Sequence, residues 1–277
     1  MRTPSSSRDR PSMTQAPASD TTALVTGASS GIGFEIARLH AARGGRLIAV
    51  ARRGERLHAL ADELAAAHGT DTLVVEADLA TRAGLDALHA AVGDRPVDAL
   101  VNNAGFGLRG RFHEADLPRL LEMVDLNVRA LTELSHRYAG PMVGRGAGRI
   151  LNVGSTAGFL PGPLQAVYYA SKAYVNSLSQ AMAEELRGTG VTVTLLAPGP
   201  VATEFFDVAG MARTSFRAKA PPATAVARVG YEAMLAGRLV AIDDRRIAAL
   251  ARVVGLLPRR FVLAASRRAM AANAKTP

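Results

Sequence analysis

The stretch Thr22-Ala23-Leu24-Val25-Thr26-Gly27-Ala28-Ser29-Ser30-Gly31-Ile32-Gly33 decides the fold of this 277-residue chain. Residues 22–26 are a short apolar run ending in glycine, the pattern of a buried strand. Phe34 to Ala42 then continues as a helix. Glycines at such a junction let backbone N–H groups approach a pyrophosphate and let the helix start close to the strand. The helix N-terminus adds the positive end of its dipole. The spacing is G-x-x-x-G-x-G rather than G-x-G-x-x-G. A Gly-rich turn alone is often only a tight loop, but its place between strand and helix favours a dinucleotide site.

The same alternation continues downstream. Arg46 to Ala51 reads as a second strand, with Arg52 and Arg53 at its C-terminal end. An acid for a ribose 2′-hydroxyl is expected at this point in an NAD site. Two guanidiniums stand there instead, suited to a 2′-phosphate. The plainer alternative is two solvated arginines opening the next helix, with Glu55 as partner. A helix over 55–67 leads to a strand at 72–76 and then Asp78-Leu79. A helix over 82–92 leads to a strand at 97–101 and then Asn102-Asn103-Ala104-Gly105. Regular alternation predicts an α/β fold. It is a Rossmann-type doubly wound parallel sheet of about seven strands, one domain over residues 21–245, with ligands at the C-terminal strand ends.

The second half brings the chemistry. A long helical stretch, 117–138, holds Asn127 in its middle, where propensity disfavours it and solvent exposure is the plain explanation. A strand at 148–153 is followed by Gly154-Ser155. Tyr168 and Lys172 lie four apart in a predicted helix over 164–187, about one turn, roughly 6 Å of rise, on one face. An ammonium beside a phenol favours the phenolate and lowers its pKa from about 10 towards neutrality. The strand 191–196 ends in Ala197-Pro198-Gly199-Pro200-Val201-Ala202-Thr203, and residues 239–242 read as the last strand.

Composition narrows the classes. The chain is 48% hydrophobic, enough for a sizeable core, and has no cysteine, which excludes disulfides and thiolate metal sites. Its six histidines, at 40, 58, 68, 89, 113 and 136, form no ligand-like cluster, so no metal is expected. The net charge of +9 resides in the tail. Residues 245–277 hold seven Arg, one Lys and no acid, or +8; residues 1–244 then carry 25 bases and 24 acids, or +1. A nucleic-acid binder therefore has no support beyond bulk charge, and no recognition motif accompanies it. No apolar run reaches the roughly 18 residues of a membrane span. Residues 1–20 are rich in Ser, Pro, Thr and Arg and read as a disordered leader, with Met13 an alternative start. A cytoplasmic location is expected.

Taken together, the chain resembles the short-chain dehydrogenase/reductase family over about residues 21–245, in its NADP-preferring type. The carrying pieces are T-G-A-S-S-G-I-G at 26–33, Asp78, N-N-A-G at 102–105, Asn127, Ser155, Y-x-x-x-K at 168–172 and P-G-x-V-x-T at 198–203. The resemblance implies that Tyr168 is the general acid/base and that Lys172 lowers its pKa and holds the nicotinamide ribose. Ser155 would bond the substrate oxygen, and Asn127 would maintain a water-linked proton path through Lys172. Gly27, Ser29, Ser30, Gly31, Ile32 and Gly33 would hold the pyrophosphate. Asp78 with Leu79 would serve the adenine, and Asn103, Ala104 and Gly105 the adenosine side. Pro198, Gly199, Val201 and Thr203 would flank the nicotinamide. Ala51-Arg52 after the second strand implies NADP (NADPH) rather than NAD. Tyr169 competes with Tyr168, but the 13 residues from Ser155 select Tyr168.

The expected activity is hydride transfer between NADP(H) and a carbonyl or secondary alcohol. The alternative is a non-catalytic NADP-binding protein, against which the intact Asn127-Ser155-Tyr168-Lys172 set argues. Phe106, Phe159, Leu160, Phe205, Phe206 and Met211 form either an apolar substrate pocket or a lid packed on its own domain. The basic C-terminal extension, 246–277, carries Ile247, Leu250, Val254 and Leu257 at helical spacing, then a second helix after Pro258 through Arg268. Packing on the domain, a subunit contact and an anionic membrane surface compete for it. The region around Tyr168 resembles the surface through which the family assembles, so a homodimer or homotetramer is expected.

Overall fold

The computed structural model describes residues 21–211, 220–244 and 257–272. Its strands are β1 (Thr22–Thr26), β2 (Arg46–Ala51), β3 (Thr72–Glu76), β4 (Ala99–Asn102), β5 (Gly148–Val153), β6 (Val191–Leu196) and β7 (Val240–Ala241). They form one seven-stranded sheet in the order β3-β2-β1-β4-β5-β6-β7, with every pairing parallel. The expected doubly wound sheet is therefore present. The order reverses between β1 and β4: from β1 the chain runs on to β2 on one side, and from β4 to β5 on the other. A crevice opens at such a point.

Alternation within the strands feeds two separate cores. Ala23 and Val25 of β1, with Leu47 and Ala49 of β2, pack on one face against α1 (Gly31–Ala41) and α2 (Gly54–His68). Leu24, Ile48 and Val50 point the other way, towards α3 (Arg82–Val92). Both faces are apolar, as a sheet covered on both sides requires. Leu57, Leu60 and Leu64 of α2 are at most 1% exposed. Each contributes about 1.5–3 kcal/mol by burial.

The predicted 117–138 helix is longer and is interrupted. α4 (Leu117–Val124) passes through one π-helical segment, Asp125–Ala130, into α5 (Leu131–Arg145), which carries Pro141 inside it. Asn127 lies in the π segment and is buried, not solvated. Such π turns recur at functional sites. α6 (Ala166–Glu185) starts after Leu164, at φ 68°, two residues later than the pattern suggests. Beyond β6 come the short α7 (Phe205–Val208), α8 (Ala223–Leu235) and, after β7, α9 (Arg259–Ala272). The predicted second tail helix is thus α9 and runs to Ala272. The leader, residues 212–219 of the expected lid and the stripe Ile247, Leu250 and Val254 lie outside the described residues.

Candidate active site

One cavity of about 660 Å³ runs across the C-terminal ends of the strands. Every residue expected in the site lines it except Gly33 and Asn127. At one end lie the Gly-rich turn, Arg52, Arg53, Asp78 and Leu79; further along lie Ser155, Tyr168 and Lys172.

The turn is built to leave backbone uncovered. Gly27 and Gly31 have φ of 66° and 59°, conformations that side chains resist. A Cβ on Gly27 would stand 2.7 Å from Asn103 Nδ2, and one on Gly33 would collide with the same atom. Asn103 donates from that nitrogen to the carbonyls of Thr26 (2.9 Å) and Gly27 (3.3 Å). Thr26 Oγ1 in turn accepts from the amides of Asn103 and Ala104. Asn103 therefore locks the turn as well as lining the cavity. Ser30 is the N-cap of α1, yet its side chain makes no capping hydrogen bond. Its hydroxyl accepts from Arg53 at 2.9 Å instead. The amides at the start of α1 keep their dipole end open towards the cavity, which fits a pyrophosphate.

Arg53 also donates to Ser29 Oγ (3.1 Å) and pairs with Glu204 at 2.7 Å. Arg56, one turn along α2, pairs with the other Glu204 oxygen at 2.6 Å. Arg52 lies 3.4 Å from Glu122 and 3.9 Å from Asp78. These guanidiniums suit a 2′-phosphate, and Glu204 already presents a carboxylate to two of them. Neither Arg56 nor Glu204 was among the residues singled out from sequence, although R-R-x-x-R at 52–56 carries the signal.

At the chemical end, Tyr168, Lys172 and Asn176 follow one another every four residues along α6. Lys172 is buried and donates to the Val153 carbonyl at 2.8 Å. Asn127 exchanges two hydrogen bonds with the backbone of Phe106 and donates to Ser171 Oγ at 3.1 Å. A Cβ on Gly105 would touch Asn127 Oδ1 and lie 3.6 Å from Lys172 Nζ, so Gly105 lets these two groups converge. Ser155 caps a 3-10 turn, Thr156–Phe159, by accepting from the amide of Ala157. Asn176 was not foreseen; it holds the peptide of Ser155 through two hydrogen bonds.

The charge states differ from the simple pair expected. Burial pushes the Tyr168 phenol up to about 12, outweighing the hydrogen bond from Ser155 that lowers it. Burial also pushes the Lys172 ammonium down to about 8. Lys172 points its ammonium at the Val153 carbonyl, and desolvation penalises both charged forms. Tyr169 is buried in the cavity wall, its ring 6.0 Å from that of Tyr168 and pressed against Gly162.

The apolar set reconciles both readings of it. Phe106, Phe159, Leu160, Phe205, Phe206 and Met211 all line the cavity, while Phe106, Phe206 and Met211 are also buried in small clusters. Phe205 lies 5.3 Å from the Tyr168 ring. Among the described residues, no group of three or more His, Asp or Glu is placed to hold a metal ion. None of the described helices is long and apolar enough to cross a membrane.

A parallel sheet with a glycine-opened nucleotide crevice and a Ser-Tyr-Lys cluster defines a dinucleotide-dependent oxidoreductase. The short chain dehydrogenase family model matches residues 21–212. The protein belongs to that family. A curated relative, the NADP-dependent 3-hydroxy acid dehydrogenase of Salmonella typhi, is 40% identical over 189 residues, covering 67% of this chain and 75% of the relative. A short-chain dehydrogenase from Sphingobium yanoikuyae, solved with NADPH, superposes with a TM-score of 0.79 at 33% identity, over 85% of this chain and 92% of that one. The bulky-bulky ketone specific alcohol dehydrogenase of Comamonas testosteroni gives a TM-score of 0.75 at 29% identity, over 88% and 92% of the two chains.

Proposed function

We propose that the protein is an NADPH-dependent reductase of uncharged, apolar carbonyl compounds. The observation that carries this reading is a single cavity with arginines at its nucleotide end and Tyr168 among aromatic side chains at the other. When bound, the dinucleotide supplies hydride. Arg52, Arg53 and the open start of α1 would hold its phosphates, Asp78 with Leu79 the adenine, and Asn103 to Gly105 the adenosine side. Lys172 would hold the nicotinamide ribose, with Pro198, Gly199, Val201 and Thr203 alongside the nicotinamide.

Ser155 and Tyr168 bond the substrate oxygen, which fixes the carbonyl carbon in place. Tyr168 gives its proton to that oxygen as negative charge develops there. Lys172, charged, stabilises the phenolate left behind, and Asn127 organises the return of a proton through it. The complete set argues against a protein that only binds nucleotide.

The substrate end favours apolar chemistry. Phe106, Phe159, Leu160, Phe205, Phe206 and Met211 meet there, and Gln165 adds an uncharged polar group. A carboxylate substrate would want a cation in that wall. NADPH oxidation across aryl ketones, aliphatic ketones, aldehydes and 3-oxo acids tests the reading. Fastest turnover of 3-oxo acids would overturn the apolar assignment.

Assembly is part of the same proposal. Leu117, Leu121 and Val124 of α4 are exposed, and Tyr174 of α6 is exposed nearby, its hydroxyl 3.0 Å from Thr132 Oγ1. A homodimer or homotetramer covers that surface, and sedimentation equilibrium reads it. The proposed location is the cytoplasm, and cell fractionation tests it. The exposed arginines of α9 leave contact with an anionic membrane surface as a secondary reading, tested by vesicle sedimentation with and without residues 245–277.

A further inference from the structure

The family match stops at residue 212, yet the cavity does not. Ser266 and Met270, on α9, line it too. Val262, Ser266 and Met270 recur every four residues and are 7%, 8% and 7% exposed, so one face of α9 is turned inward. Arg259, Arg260, Arg267 and Arg268 are exposed. The buried stripe thus packs on the domain, and Ser266 and Met270 carry it to the edge of the cavity.

The attachment is specific. Arg109 donates from its guanidinium to the carbonyl of Met270 at 3.3 Å. That carbonyl lies in the last turn of α9, where carbonyls lack partners within the helix and carry the negative end of the dipole. Arg109 therefore acts as a C-terminal cap supplied from another element. Its own amide donates to Ala209, just after α7, and the next amide, of Gly110, donates to Leu164 ahead of α6. Gly107, two residues earlier, faces Phe205 and Tyr168. One loop thus ties α7, the approach to Tyr168 and α9 together around the substrate end.

We infer that α9 is the roof of the substrate cavity, that Met270 is a specificity-determining residue, and that Arg109 is the positioning residue that seats the roof. The inference rests on the carbonyl-reductase reading above. The inward stripe is uncharged, and an unbranched thioether adapts to flat or ring-shaped apolar groups. The substrate class is a ketone with a bulky aromatic or alicyclic substituent that reaches from Tyr168 to the roof.

The test uses the full chain with NADPH and two substrates, a diaryl ketone and 2-butanone. Met270→Trp should lower the ratio of kcat/KM for the diaryl ketone over 2-butanone at least ten-fold, chiefly through the diaryl KM. Arg109→Ala should move that ratio several-fold and Arg109→Lys should restore it. Retained NADPH binding and thermal melting show that each variant folds. An unchanged ratio in Met270→Trp overturns the inference. If the wild type reduces neither these nor any other carbonyl, the reductase reading has failed by itself. Calorimetric titration of the diaryl ketone into the NADPH complex then decides the roof separately, and equal affinity in wild type and Met270→Trp overturns it.

Discussion

Asn176 grips Ser155 on both sides of its residue: Nδ2 donates to the Ser155 carbonyl at 2.9 Å, and Oδ1 accepts from the Ser155 amide at 3.4 Å. Asn176 is 3% exposed and sits four residues beyond Lys172 and eight beyond Tyr168. One face of α6 therefore places Tyr168, Lys172 and, through Asn176, Ser155. Asn176→Ala leaves buried backbone groups unpaired, at about 1–3 kcal/mol. The expected outcome is a lower melting temperature and a fall in kcat of about ten-fold or more, with NADPH binding retained. A full kcat would mean that Ser155 is held in place by something else.

Tyr168→Phe removes the proton donor while keeping the ring that packs on Phe205. Turnover should fall by about 10²–10⁴, while calorimetric titration should still give NADPH its wild-type affinity. Turnover retained in Tyr168→Phe and lost in Tyr169→Phe would transfer the role to Tyr169.

The nucleotide end makes a charge prediction. NADPH should bind more tightly than NADH, and Arg52→Ala and Arg53→Ala should each narrow that gap. Glu204 presents its carboxylate to Arg53 and Arg56, which hold its pKa below the ordinary range. Glu204→Gln weakens both pairs and should tighten NADPH several-fold while leaving NADH nearly as it was. Equal changes for the two nucleotides would remove these arginines from the 2′-phosphate site.

Lys172 sets a pH dependence. Burial lowers its ammonium from 10.5 to about 8, while Tyr168 stays protonated up to about 12. Reduction needs both protons, so kcat should hold at neutral pH and fall as pH rises through about 8. Residual activity in Lys172→Arg should lose that limb, because a guanidinium keeps its charge; the same limb in the variant would assign it to another group. Stability moves in the opposite sense. The unfolded chain binds the lysine proton more strongly than the native one, so the native state is penalised fully below about 8. That penalty fades as pH rises towards 10.5. Lys172→Met should therefore melt higher than wild type at neutral pH, and the gap should shrink in alkali.

Strand patterns made much of the fold legible. β1, β2, β3, β5 and β6 lie where their apolar runs end, because both faces of a parallel sheet are buried and each run must stop at its turn. Other boundaries needed the structure. α1 begins inside the glycine turn at Gly31, and β7 shrinks to Val240–Ala241. Asn127 read as a polar residue in mid-helix; the structure buries it within a π turn that no residue type announces.

The amino-acid order alone placed Tyr168 and Lys172 on one helix face by periodicity and opened a turn at glycines 27, 31 and 33 by stereochemistry. Those are local constraints, set by spacing. Only the tertiary structure decided what surrounds them. Arg56 and Glu204 meet across 148 residues, and Arg109 meets the Met270 carbonyl across 161. It also turned the expected low pKa of Tyr168 into a high one, because burial depends on what packs around a group and not on its neighbours in the chain.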